Sequence, residues 1–124
     1  MAEETVPVAW VASSKKDFGK FPDDVQQVMG FALYLAQTGG KHDNTKPLRG
    51  FGGAGVLEVV EDHRGDTFRC VYTVRLADTV YVLHAFQKKS KSGIATPQTD
   101  IDKIKKRLKA AQDDYETRAK AKVK

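Results

Sequence analysis

The stretch that decides the fold is TFRCVYTVRLADTVYVLHAFQKKSKSG, residues 67–93. Two runs rich in β-branched and aromatic residues, 67–76 and 79–87, are separated only by Ala77–Asp78. Such residues favour strands, and a two-residue connection forces the strands to be antiparallel neighbours. With Leu76 set opposite Thr79, paired residues sum to about 155, which puts Arg69 across from Phe86. In the first run Phe68, Cys70, Tyr72, Val74 and Leu76 alternate onto one face, and Arg69, Val71, Thr73 and Arg75 onto the other. The first face is expected to pack on helices. The second is half apolar and is expected to be open to a partner.

Outward from this hairpin, VLEVVE (56–61) reads as a further strand, joined to it by DHRGD (62–66), and VPVAWVA (6–12) as a strand near the start. A short helix is expected from Ser13 or Ser14 to Gly19. A longer one begins at Pro22–Asp24, buries Val25, Val28, Ala32 and Leu35, widened by Met29, Phe31 and Tyr34, and stops at Gly39–Gly40. The loop KHDNTKPLRGFGGAG (41–55) carries Lys41, Lys46 and Arg49. The last helix starts at Thr96–Pro97, a capping threonine followed by proline. Its stripe is Ile101, Ile104, Leu108, Ala111 and Tyr115, with Lys103, Lys105, Lys106, Arg107 and Lys109 on the flanks and back. The expected order is β-α-α-β-β-β-α, an α+β fold with an antiparallel sheet and helices packed on one face. Residues 1–118 form the single expected domain, followed by a frayed basic tail at 119–124.

Composition limits the function. The 124 residues are 40% hydrophobic and 30% charged, which suits one globular domain. The single cysteine, Cys70, excludes an intrachain disulfide and any multi-cysteine metal site. No apolar run approaches the ~20 residues of a membrane span, and MAEETVPVAW lacks the basic start of a signal peptide, so a cytoplasmic location is expected, with no membrane partner. The net charge of +5 is uneven. Residues 1–62 hold six Lys/Arg against nine Asp/Glu, and residues 63–124 hold fifteen against seven. A basic half attracts polyanions, although a solvated helix face would read the same way.

No GxSxG, P-loop, HExxH or CxxC is present. The three histidines have no metal-ligand spacing. His84 shares parity with Val80 and Val82 and reads as a core histidine, while His63 sits in the 62–66 turn, where it is either solvated or a proton-transfer group. The basic residues on strands are more informative. The hairpin register brings Arg69, Lys88 and Lys89 to one sheet edge beside Phe86, with Lys91 close behind. Gathered cations next to an aromatic ring offer phosphates a clamp and a base a stacking surface. The ordinary alternative is that each lysine extends into water.

The segments KPLRGFGGAGVLEVVED (46–62), TFRCVYTV (67–74), TVYVLHAFQKKSKSG (79–93) and TPQTDIDKIKKRL (96–108) together resemble the HigB-like, phage-derived branch of the RelE/ParE toxins of type II toxin–antitoxin pairs. The resemblance implies a small RelE-like protein that binds in the ribosomal A site and cuts messenger RNA without a metal or other cofactor. Lys and Arg side chains would hold the scissile phosphate. A helix-turn-helix antitoxin would silence it, with operator DNA contacted only through that antitoxin. Carried over residue by residue, the family's strand arginine falls on Arg69 and its basic position after the last strand on Lys88, the two catalytic candidates. Lys46, Arg49, Phe86, Lys89 and Lys91 are the RNA-binding candidates. The chain departs from the family where the strand VLEVVE carries Glu58 and Glu61 but no Lys or Arg, and has Val60 where HigB-like members have arginine.

The leading expectation is therefore a ribosome-dependent mRNA endonuclease. The alternatives are a ParE-like gyrase poison acting by protein contact, and a non-toxic basic RNA-binding regulator. Arg69, read as a solvent-facing clamp, is expected to be replaceable by alanine with little change in the thermal melt.

Overall fold

The structure, a computed structural model, describes residues 5–51, 55–73, 79–88 and 96–122. The chain runs β1 (Val8–Trp10), α1 (Ser14–Phe18), α2 (Asp23–Gln37), β2 (Thr45–Pro47), β3 (Val56–His63), β4 (Asp66–Thr73), β5 (Val80–Lys88) and α3 (Gln98–Lys122). The five strands form one sheet in the order β1-β5-β4-β3-β2. The α+β class is as expected, and Arg69 does pair with Phe86. The expected Ala77–Asp78 loop lies outside the described residues.

Three features depart from the expectation. The sheet is mixed, because β1 runs parallel to β5. A further strand, β2, lies in what reads as a loop, with Lys46 paired to Glu58 and Pro47 to Leu57. Proline tolerates that place because an edge strand has one row of backbone groups unpaired. Most important, helices cover both faces. α1 and α2 pack with Val59, Phe68, Cys70, Tyr72, Val80 and Val82 on one side. Ile101, Ile104, Leu108, Ala111 and Tyr115 of α3 pack with Val56, Val71, Tyr81 and Leu83 on the other. The α3 stripe is thus the expected one, but it covers the face expected to stay open. Helix α3 also continues through Lys122, into the segment expected to fray.

β3 and β4 are joined by Arg64–Gly65, both at positive φ (52° and 87°), the backbone twist that a two-residue hairpin demands. In β5 a bulge interrupts the register, since Val71 pairs with His84 but Tyr72 with Val82. The extra residue, Leu83, flips the alternation. His84 therefore leaves the face of Val80 and Val82 and meets α3 instead. It is buried as expected, on the opposite side of the sheet.

Helix α2 is rotated from its expected stripe. Val25, Met29, Ala32, Leu33 and Ala36 are buried, while Phe31 and Tyr34 are 53% and 43% exposed. The second half of α2 is apolar nearly all round, so its periodicity admits more than one face. Met29→Ala is expected to cost about 2–5 kcal/mol in urea unfolding, as for a fully packed core side chain. Phe31→Ala should cost less than about 1 kcal/mol. Equal losses would contradict the observed rotation.

Candidate functional site

The α3 side of the sheet carries two rows of side chains fixed by the registers of β3, β4 and β5. One row is Glu58, Val71 and His84, and the next is Val60, Arg69 and Phe86. A guanidinium beneath a helix needs a counter-charge, and the diagonal neighbour supplies it. Arg69 Nη1 donates to Glu58 Oε1 at 2.8 Å, with the two residues 3% and 4% exposed. Arg69 Nη1 also lies 3.4 Å from Thr96 Oγ1, immediately before α3. The threonine expected to cap the helix thus turns its hydroxyl toward this arginine.

Beside the pair is a cleft of about 500 Å³, lined by Lys46, Leu48, Arg49, Glu58, Thr96 and Lys105, among others. Lys46, Arg49 and Lys105 are exposed at its rim. Glu58 forms part of its wall, while Arg69 stands behind the carboxylate. Glu58 Oε1 is held by the arginine, and Oε2 accepts no hydrogen bond among the described residues. The cleft therefore pairs one oriented carboxylate with three exposed cations, a set able to take a proton and to hold a phosphodiester.

Of the expected site residues, Lys46 and Arg49 meet here. Arg69 does not project into solvent as expected, because α3 covers its face and Glu58 neutralises it. Phe86 is partly buried beside Arg69, and His84 already stacks on its ring at 4.7 Å with a 19° interplanar angle. The backbone of Lys88 pairs with Thr67, at the end of β5. Lys89 and Lys91 lie outside the described residues. His63 is at the tip of the β3–β4 hairpin, its ring 6.5 Å from Phe68 on the α2 side. It is therefore on the opposite face from Arg69. Sequence reasoning missed Glu58 and Lys105 as members of the site. Glu58 stood out as an acid inside a strand, and Lys105 was one of several cations on α3.

His84 belongs to a separate network. Its Nε2 is 2.7 Å from Asp100 Oδ1 and its Nδ1 is 3.3 Å from Arg107 Nη1. Because a guanidinium can only donate, Nδ1 accepts, and Nε2 keeps the proton and donates to Asp100. Arg107 also donates to Leu83 O at 3.0 Å and to Ser13 Oγ at 3.1 Å. Burial pushes the His84 pKa below its ordinary value, an effect Asp100 opposes and Arg107 and Lys103 reinforce.

The family model described as "Phage derived protein Gp49-like (DUF891)" matches residues 16–109. The chain belongs to this family. The Gp49-like match begins within α1, takes in strands β2 to β5 but not β1, and ends within α3, so it includes the residues named as lining the cleft. No curated protein matches the sequence at a significant level. Among solved structures, this Gp49-like chain is similar to a chain of the toxin–antitoxin complex RelBE2 from Mycobacterium tuberculosis. The two are 19% identical over 72% of this chain and 98% of that one, with a TM-score of 0.47.

Two outcomes are expected. Removing one partner of the buried pair, by Glu58→Ala or Arg69→Ala, should cost about 3–5 kcal/mol, read as a large drop in melting temperature. An unchanged melt for Arg69→Ala would mean that the guanidinium is not buried against Glu58. For His84, a lowered folded pKa means that its contribution is complete above the ordinary value near 6.5 and is lost as pH falls through the folded value. Melting temperature should therefore decline below pH ~6.5, and His84→Gln should shrink that decline.

Proposed function

We propose that this protein is the toxin of a type II toxin–antitoxin pair and that it cleaves messenger RNA in the ribosomal A site. The observation that carries the reading is the Glu58 carboxylate, held from behind by Arg69, in the wall of a cleft rimmed by Lys46, Arg49 and Lys105. Membership of the Gp49-like family and the resemblance of residues 46–108 to HigB-like toxins support it.

Glu58 accepts the proton of a ribose 2′-OH. The freed oxygen attacks the adjacent phosphorus, and the bond to the 5′-oxygen breaks as that oxygen takes a proton from solvent water, leaving a 2′,3′-cyclic phosphate and a 5′-hydroxyl; Glu58 then returns its proton to solvent. Charge on the phosphoryl oxygens grows during this step. Lys46, Arg49 and Lys105 stabilise it, because fixed cations bind the transition state better than the starting diester. Arg69 is a positioning residue here, since it reaches the substrate only through Glu58. Lys88, Lys89 and Lys91 supply further phosphate contacts, and Phe86 offers an edge to a base. The chemistry uses the chain's own cations and calls for no metal. A partner antitoxin neutralises the toxin and carries any operator binding.

The test is a reconstituted translation reaction with mapping of mRNA 5′ ends. The wild type should cut within codons. Glu58→Gln, on preparations whose melt confirms folding, should lower cleavage by about 10²–10⁴-fold. Lys105→Ala, on an exposed side chain, should weaken cleavage and reduce its salt dependence without changing the melt. Intact mRNA with inhibited gyrase supercoiling would instead identify a poison acting by protein contact.

A further inference from the structure

Asp100, Arg107 and Asp114 recur every two turns of α3, which sets them on one flank of the helix. Each is tied to β5. Asp100 Oδ1 is 2.7 Å from His84 Nε2, Arg107 Nη1 donates to Leu83 O at 3.0 Å, and Asp114 accepts from the Tyr81 hydroxyl at 2.6 Å. The middle tie reaches further than the other two. The same Nη1 meets His84 Nδ1 at 3.3 Å, and Nη2 donates to Ser13 Oγ at 3.1 Å, so the guanidinium fork also joins α3 to the start of α1. Ser13 follows Ala12, whose φ of 53° is a left-handed conformation that a β-carbon disfavours. Strain of this kind persists where the surroundings fix it, as this tie does.

The tie requires a neutral imidazole. Nδ1 has to accept, because a guanidinium only donates. A proton on Nδ1 sets N–H against N–H and puts two cations side by side under the helix. The other charges around the ring leave that clash standing. Asp100 favours the charged ring and Lys103 opposes it, both from α3. Asp17 and Lys20 of the α1 end line the same recess, of about 310 Å³, and lie 4.0 Å from each other. Glu58, in the same row beyond Val71, is already paired with Arg69. Arg107 is the member that can leave. It is only half-buried, and Ser13 at the far end of its fork is exposed.

We propose that His84 and Arg107 form a proton-operated latch between α3 and α1. When His84 takes a proton on Nδ1, the Arg107 fork leaves Leu83 O and Ser13 Oγ for solvent, and α3 and the start of α1 lose this tie. The flanking ties persist. The Asp100 contact becomes an ion pair, and the Tyr81–Asp114 contact lies two turns further along α3. The release is therefore local, and the sheet and its two cores stay folded. None of His84, Arg107 and Ser13 lines the Glu58 cleft, so the latch is independent of the proposed RNA cleavage.

The test is 15N NMR of the labelled full-length protein from about pH 8 to about pH 4.5. At the upper end the His84 proton should sit on Nε2. As the ring titrates, the Arg107 guanidinium signals and the Ser13 amide should shift with the same midpoint, and guanidinium exchange with water should quicken about tenfold or more. Amides of β4 should stay protected throughout. His84→Gln can still donate to Asp100 and accept from Arg107 but cannot titrate, so it should hold the Arg107 signals constant over the range. Arg107→Met keeps the aliphatic stem and removes the fork. It should raise the His84 midpoint, by about one pH unit for a tenfold coupling, because a latch that the proton weakens must weaken proton binding equally. The proposal is overturned if the neutral ring carries its proton on Nδ1, or if His84 does not titrate in this range. It is overturned too if the Arg107 signals ignore the His84 midpoint, or if Arg107→Met leaves that midpoint in place. Loss of β4 protection at the same midpoint also overturns it, since that is acid unfolding of the whole domain.

Discussion

The contact between Glu58 and Arg69 ties three parts of the molecule together. A guanidinium removed from water costs several kcal/mol unless a carboxylate accompanies it, and breaking such a pair leaves an uncompensated charge inside. Glu58 supplies the partner from β3, Arg69 stands in the middle strand β4, and Thr96 adds a hydroxyl at the entry to α3. The place where α3 begins is thus coupled to the place where the charge is neutralised. The same contact aims Glu58 into the cleft.

Helix α3 gives that pair its surroundings. Its apolar stripe, with Ile104 and Ala111 almost wholly buried, seals one face of the sheet. Polar contacts then fix its position along that face. Asp100 meets His84, Arg107 reaches Leu83 O, and Asp114 accepts from the Tyr81 hydroxyl at 2.6 Å. Held this way, its first turns divide the surface above β3, β4 and β5 into two recesses. One presents a carboxylate among cations. The other lies between the end of α1 and α3 and is lined by two carboxylates, Asp17 and Asp100, and two lysines, Lys20 and Lys103.

Much of this was legible from local patterns, as particular residues show. The register that pairs Arg69 with Phe86 follows from a short connection and period-two alternation. The β3–β4 link reads as the five residues 62–66, but the strands extend to leave only Arg64–Gly65 between them, and that register sets Glu58 opposite Val71, diagonal to Arg69. The acid that seemed a departure from a basic strand is therefore the counter-ion of the arginine one strand away. Other features had no local signal. Nothing in VYVLHAF marks Leu83 as a bulge, so His84 read onto the wrong face. Phe31 and Tyr34 read as core because one side of an all-round apolar turn looks like another. The three-residue strand β2 is too short for periodicity to show.

The sequence by itself determined the order of the elements other than β2, the antiparallel meander of β3, β4 and β5, and the buried stripe of α3. Those features follow from side-chain alternation, helical spacing and connection length, all carried by neighbours along the chain. Only the tertiary structure decided that α1 and α2 lie on one side of the sheet and α3 on the other. That choice determines whether Arg69 meets solvent or a buried carboxylate. Burial depends on which distant element lies above a strand, and no local period encodes it.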